Sequence, residues 1–337
     1  MNEQPSIVEA LRGALVESRH HLHVAVVDAD GRLRASAGDP ELQTFFRSAA
    51  KPFQVLPMIA SGAVERYGIT PDEIALCCGS HSGEPAHVRT AERLLAKAGA
   101  AADTLVCGSH PPFHRPTRQA LADAGLEPGR LHNNCSGKHA GMIALARARG
   151  WEVEGYERLD HPVQGAVMEE LARWTRLPAD GLQVGNDGCG VVSFALPLYR
   201  MALAYAGLAA EARQAPDGPG GTVVDAMTRF PLMVAGTGRV CTDLMRTTRG
   251  RVFAKFGAEG IYCMGVPGAE LGIAIKIEDG ARRAIGPAAV EVLRQLALIS
   301  EADADALEGH AFPEVRNTQG VLVGQLRATV SLRTHDA

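Results

Sequence analysis

Two kinds of hydrophobic pattern occupy different regions of the chain. Near the start, HLHVAVVDADGRLRASAGD alternates apolar and polar residues about Asp30-Gly31, which predicts a two-stranded hairpin. The carboxy-terminal part has the same character. RVFAKFG, GIYCMGV and GIAIKIEDG are short β-prone runs punctuated by glycine and proline, and GVLVGQLRATVSL supplies one more strand. Between these groups the apolar spacing changes to three and four. SAAKPFQVLPMIASGAVERYG opens on Ser48 as a helix cap, and TPDEIAL has Thr70 as cap, Pro71 at the first position and Glu73 completing a capping box. EPAHVRTAERLLAKAG, CSGKHAGMIALARARG and HPVQGAVMEELARWTRL carry helical spacing through the middle, and EARQAPDGPGGTVVDA is the most loop-like stretch.

Strands at both ends with helices between them predict an α+β fold: an antiparallel sheet assembled from the two termini, with an inserted helical region. No internal repeat, low-complexity tract or separating linker divides the chain, so a single domain over residues 1–337 is expected. Its sheet lobe would take about 1–45 and 250–337, and its helical lobe about 46–249.

Composition changes this picture mainly by exclusion. With 46% hydrophobic residues, 337 residues bury a substantial core, and a net charge of −4 lacks the basic excess that a phosphate backbone demands. No apolar run is long enough for a bilayer, and the amino terminus lacks a basic region followed by an apolar block, so a cytoplasmic protein without nucleic-acid or membrane partners is expected. Seven scattered cysteines are a poor disulfide framework and fit a reducing compartment. Only five of the 34 basic residues are lysines, at 51, 97, 138, 255 and 276. Lysine, unlike arginine, readily loses its proton inside a protein, which draws attention to each of them.

Lys51 follows Ser48 by three residues. A serine hydroxyl is a weak nucleophile until a base takes its proton, and a neutral lysine amine can do so. Neutrality requires a fall of roughly 3 units from a reference pKa of about 10.4, or about 4 kcal/mol, supplied by burial or a neighbouring cation. Taken alone the motif reads more simply as a capping serine beside a lysine. CCGSHSGE adds Ser80 in a loop of small residues, and AKFGAEG places Lys255 at the end of a β-prone run. Their bland counterparts are a turn serine bonded to its own backbone and an edge-strand lysine. The order Ser-x-x-Lys, a middle serine, then Lys-x-Gly is that of penicillin-binding proteins and class A β-lactamases. Phe256 and SHSGE depart from the usual residues of those enzymes.

NNCSGKHAGM and GNDGCGVV offer Cys135 and Lys138, then Asp187 and Cys189. Thiolates at two glycine-flanked turns are suitable soft ligands for zinc, although free cysteines are more often buried small hydrophobes. By residue chemistry alone His132 and His139 are more conventional third ligands than Lys138. His81, His87, His110 and His114 fit no ligand template.

Together, SAAKPFQ, CCGSHSGE, NNCSGKHAGM, GNDGCG, GTGRVCTDLM and AKFGAEG resemble the bacterial asparaginase II family of the inducible, thermolabile rhizobial type, from about residue 20 to the last strand. The resemblance implies a fold similar to serine β-lactamases and glutaminases, a homodimer, and hydrolysis of L-asparagine to L-aspartate and ammonia. It implies two serine–lysine pairs, Ser48 with Lys51 and Ser80 with Lys255, beside a zinc site of Cys135, Lys138, Cys189 and water. Asp187 would lie close to the metal and substrate, and Gly188 and His81 join it as expected substrate-binding residues. Cys241 matches a cysteine near the site. A glutaminase or β-lactamase-like acyl hydrolase, and a zinc-stabilised binding module without catalysis, are the alternatives.

Overall fold

The computed structural model describes residues 5–335, and the chain divides into two compact units. The first is made of Met1–Ala49, Leu196–Ala210 and Asp243–Ala337, the second of Ala50–Ala195 and Glu211–Thr242. The architecture is α+β.

The first unit carries a nine-stranded sheet among the described residues, and its strand pairs are antiparallel. The predicted hairpin forms from Leu15–Asp28 and Leu33–Ala37, turning where Gly31 at φ +95° donates to the Asp28 carbonyl. The three late β-prone runs become Phe253–Gly257, Ile261–Val266 and Leu271–Ile277, and Leu322–Thr329 completes the predicted set. A strand at Ile7–Arg12, which the pattern did not single out, pairs with both Leu15–Asp28 and Leu322–Thr329. The sheet is therefore closed across more than 300 residues of sequence: Ile7 faces Thr329. Leu22 to Asp28 then pair with Leu271–Ile277 along a run of buried valines and isoleucines.

Gly272 lies so close to the helix Leu198–Gln214 that a Cβ on it would stand 1.9 Å from the Ala202 carbonyl oxygen. That approach brings Tyr205 under the turn preceding the second unit. Its hydroxyl donates to the Ala49 carbonyl at 2.8 Å, and its ring packs on Phe46 and Phe253.

The second unit is mainly helical. Lys51–Ala60, Pro71–Cys77, Pro85–Lys97, Ser136–Arg149 and Pro162–Thr175 realise the helical patterns of the sequence. The stretch expected to be loop-like is helical over most of its length. Leu198–Gln214 runs into it and Pro219–Arg229 begins within it. Pro219 fits the first turn, where no backbone donor is needed, and Glu211 Oε1 accepts from Gly220 N at 2.8 Å. A hairpin of Gln183–Asn186 and Val192–Pro197 adds a small β element.

The capping box expected at Thr70 and Glu73 is present, and it is reinforced. Glu73 is fully buried and accepts from Thr70 N, Arg93 Nε and Lys97 Nζ. Burial pushes its carboxyl pKa up, but Lys97, the Thr70 N–H and Arg93 outweigh burial and hold it below the ordinary value. Stability from a carboxyl lowered in this way is complete above its unfolded pKa near 4.5 and disappears as pH falls through the lower folded value. Glu73→Gln should cost about 1–3 kcal/mol at pH 7, less than for a sealed pair because the Arg93 and Lys97 side chains keep 45% and 25% of their exposure. Urea titrations should show the gap to wild type narrowing as pH is taken below 4.5; a gap independent of pH would show that the charge is not the cause.

Candidate active site

Ser48 is not the cap of the helix that follows. It sits half-buried in a 3-10 turn, Arg47–Ala50, and the helix begins at Lys51 with Ala50 as its N-cap residue. Pro52 explains the shift. A helix capped by Ser48 needs its first backbone bond from residue 52 to the Ser48 carbonyl, and proline has no N–H to give. With Ala50 as cap, Pro52 falls in the first turn, where its missing donor is harmless. Arg47, immediately before Ser48, has φ +50°, a left-handed conformation uncommon for a side-chain-bearing residue.

Lys51 opens the helix and is buried, with 1% relative exposure. Its Nζ donates to the Gly79 carbonyl at 2.5 Å, to Ser80 Oγ at 3.0 Å and to the Asn134 carbonyl at 3.3 Å. The sequence pairs Lys51 with Ser48, whereas the serine that its amine bonds within the second unit is Ser80. Two carbonyls can only accept. They take two of the amine's hydrogens, and Ser80 Oγ lies within hydrogen-bond reach of the same nitrogen.

The loop bearing Ser80 is held on both sides. Helix Pro71–Cys77 delivers Gly79 so close to neighbouring backbone that a Cβ would stand 2.5 Å from the Met233 carbonyl oxygen. Ser80 N donates to Val234 O at 2.8 Å, and His81 N to Asn134 O at 3.3 Å. Glu84 then receives the Thr237 N–H at 2.7 Å and the Thr237 hydroxyl at 2.8 Å, while Ser82 Oγ donates to Ala235 O. This clamp went unnoticed in the sequence because its partners are mostly backbone atoms about 150 residues away.

His81 is fully buried with both ring nitrogens committed. Nδ1 accepts from Gly83 N, so the Nε2 hydrogen goes to Ser136 Oγ at 2.9 Å, and Ser136 donates onward to Leu131 O. Burial, then the neighbouring His87 and Lys51, push its pKa well down and keep the ring neutral. The expected substrate contact at His81 is thus occupied by internal bonds. His87, His110, His114 and His132 likewise serve local backbone, the last accepting from Gly129 N.

The second cluster lies at the start of helix Ser136–Arg149. Gly137 lets that helix pass the Leu76 carbonyl, since a Cβ there would be 2.4 Å from its oxygen. Lys138, also buried, donates to Cys189 Sγ at 3.0 Å. Cys189 stands in the hairpin turn, where Asp187 N bonds Val191 O, Gly188 N bonds Asp187 Oδ1, and Gly190 takes φ +87°. Cys135 has one thiol hydrogen and two acceptors, Asn134 Oδ1 at 3.2 Å and the Cys189 sulfur. That thiol, together with the Lys138 cation and against burial, holds the Cys189 pKa far below the ordinary thiol range. Cys135 is pushed up by the same bond and by burial. Burial works against a charged Lys138, but the charges of Cys189, Cys135 and Asp187 outweigh it and raise the amine's pKa.

Among the described residues no group of three or more His, Cys, Asp or Glu side chains could hold a metal ion. The set of Cys135, Lys138 and Cys189 is instead two sulfurs and an amine, buried and in contact through Cys189. Such donors fit zinc. His139, the more conventional ligand by residue type, bonds Tyr156 OH through Nδ1 at 2.7 Å, and its ring also acts on the Cys189 sulfur, helping to lower that thiol's pKa. Cys241 is buried.

Ser48 and Lys255 belong to the first unit. Lys255 is buried on strand Phe253–Gly257, opposite Cys263, and its Nζ donates to Phe256 O at 2.7 Å.

The family model described as L-asparaginase II matches residues 8–328. No curated protein matches the chain. Among solved structures, a β-lactamase from Mycobacterium bovis is 16% identical, with 86% of this chain and 92% of that chain covered and a TM-score of 0.40. Simvastatin synthase from Aspergillus terreus is 12% identical over 85% and 92%, with a TM-score of 0.39. A Bacillus subtilis glutaminase, in covalent complex with 5-oxo-L-norleucine, is 15% identical over 86% of each chain, with a TM-score of 0.36. No helix among the described residues is long and apolar enough to cross a membrane.

The two glycines that let backbone approach backbone make the local design testable. Gly79→Ala and Gly137→Ala should each cost about 1–3 kcal/mol, read from urea midpoints. Gly188→Ala, whose Cβ would meet nothing within 4 Å, should stay within about 0.5 kcal/mol of wild type. Equal effects at all three positions would refute the close-approach account.

Proposed function

Belonging to the L-asparaginase II family, matched over residues 8–328, the chain is an amidohydrolase, and we propose that it converts L-asparagine to L-aspartate and ammonia through a serine activated by buried Lys51. The observation that carries the proposal is the Lys51 amine fixed between two carbonyl acceptors with Ser80 Oγ at 3.0 Å.

In this reading Ser48 attacks the side-chain carboxamide and Lys51 takes its proton. The tetrahedral oxyanion is stabilised by loop N–H groups, and the proton passes through Ser80 to the departing nitrogen, so that ammonia leaves and an aspartyl ester remains. Water then attacks the ester carbonyl, giving its proton to the lysine amine, and serine is released with aspartate. Ser48 and Lys255 enter through their sequence motifs. The Lys51–Ser80 bond supports the proton path, and it equally favours Ser80 as the attacking alcohol in a second reading.

Cys135, Lys138 and Cys189 would hold zinc, which when bound would supply a Lewis-acid site to orient the substrate's α-amino nitrogen, taken as the neutral amine, and its α-carboxylate. The chain's own part is to keep that donor set buried, with Asp187 beside the Lys138 amine. Family resemblance adds a homodimer and a cytoplasmic location to the proposal, and the seven buried free cysteines are in keeping with a reducing compartment.

Ser48→Ala should lower turnover of asparagine at least a hundredfold. Mass spectrometry of a quenched reaction with a slow substrate should find the acyl adduct on the peptide containing Ser48; an adduct on Ser80 would transfer the nucleophile's role, and one on neither would end the serine mechanism. Assays with glutamine and a chromogenic β-lactam separate the asparaginase from its alternatives. Chelation should raise KM for asparagine more than it lowers kcat, with a zinc signal lost in X-ray fluorescence. Complete loss of turnover at saturating asparagine would refute the positioning role.

A further inference from the structure

Residues 107–114 of the second unit lie against both pieces of chain that receive the Lys51 amine. On one side, the His114 N–H donates to the Ser82 carbonyl at 2.9 Å, and Pro112 stands so near Gly83 that a Cβ there would be 3.0 Å from its side chain. On the other side, Asn133 Nδ2 donates to Cys107 O at 2.8 Å, and the Asn134 N–H donates to His110 Nε2 at 3.0 Å. The sequence offers His110 no ligand template. The fold gives it a backbone partner 24 residues away.

Hydrogen bonding fixes the form of the His110 ring. Nδ1 lies 2.8 Å from the Pro111 carbonyl, which can only accept, so Nδ1 carries the hydrogen and Nε2 presents its lone pair to Asn134. The ring stacks on Phe113 at 4.9 Å between centroids, across Pro111 and Pro112, which stiffen the segment. Asn134 is thus held from both ends. Its N–H is on His110, while its carbonyl accepts from Lys51 Nζ and from His81 N, each at 3.3 Å. Without the lone pair of His110 the Asn134 N–H has lost its acceptor, and the turn shifts to find another. That shift carries the carbonyl with it, and a displacement of about 1 Å in a reacting group is costly in rate.

We propose that His110 is a positioning residue: through Asn134 it sets where the Lys51 amine stands relative to Ser80. The inference rests on the reading of Lys51 as the base of the reaction, and it adds a residue outside the serines, lysines and cysteines of that reading. The hydrogen bonds of His110 go to Pro111 and Asn134, so its influence on the chemistry is indirect.

Three variants test it. His110→Phe keeps a ring to stack on Phe113 and removes the acceptor. His110→Ala removes the acceptor and adds no bulk at this half-buried position, so it carries the test should the larger ring disturb the fold. His110→Gln returns an amide oxygen as acceptor. In steady-state kinetics with asparagine, the first two variants should lower kcat at least tenfold with KM within about twofold of wild type, and the third should keep kcat within about threefold. Hydrogen exchange, read by mass spectrometry on a peptide covering residues 79–83, should show the His81 N–H exchanging at least tenfold faster in the first two variants and at the wild-type rate in the third. Unchanged exchange across helix Pro85–Lys97 confirms that the fold is intact. Wild-type kcat in the first two variants, a KM that rises as far as kcat falls, or equal losses in all three overturns the proposal, as does a His81 amide that keeps its wild-type protection without the acceptor. A wild type that leaves asparagine intact refutes the functional reading, and the exchange comparison then decides the role of His110 by itself.

Discussion

A lysine amine sealed from water governs the second unit. Removing an amine from solvent without partners is costly, and Lys51 is tolerated because the Gly79 carbonyl, Ser80 Oγ and the Asn134 carbonyl replace its water. Those three partners come from separate stretches of chain. Satisfying the amine therefore fixes the start of helix Lys51–Ala60, the loop after Pro71–Cys77 and the turn before Ser136–Arg149 relative to one another. The same contacts that make the lysine bearable set its distance to Ser80, so stability and the proposed proton transfer draw on one set of bonds.

The cysteine cluster depends on this frame. Asn134 supplies a carbonyl to Lys51 and, through its side chain, an acceptor to Cys135. The residue linking the two clusters is therefore inconspicuous by type, and its backbone oxygen matters as much as its amide. Cys189 arrives from a hairpin turn and is held by Lys138. Those two buried groups of opposite charge offset each other's desolvation.

Much of this was legible where the cause is local. The Thr70–Glu73 capping box and the strand runs near both ends are short-range patterns, and they appear as expected. Ser48 shows how a correct pattern is misplaced: serine favours a cap, but Pro52 four residues later forbids the bond that cap would need. The histidines show the converse. Their spacing fits no ligand template, and burial with backbone donors commits His81 and His87 to internal bonds that spacing alone does not identify. Lys138 as a metal ligand came from family resemblance, because nothing about an isolated lysine distinguishes it from a cation on a helix. The Glu84–Thr237 clamp arises from bonding between distant segments, which periodicity along the chain does not encode.

The pairing of Ile7–Arg12 with Leu322–Thr329 carries a consequence for biosynthesis. The first strand leaves the ribosome some three hundred residues before one of its two neighbours exists, so its outer hydrogen-bonding edge stays open through most of translation. Contacts of such long range are slow to form, and an unpaired edge invites association with other nascent chains. Leu322–Thr329, among the last segments synthesised, is what finally covers that edge.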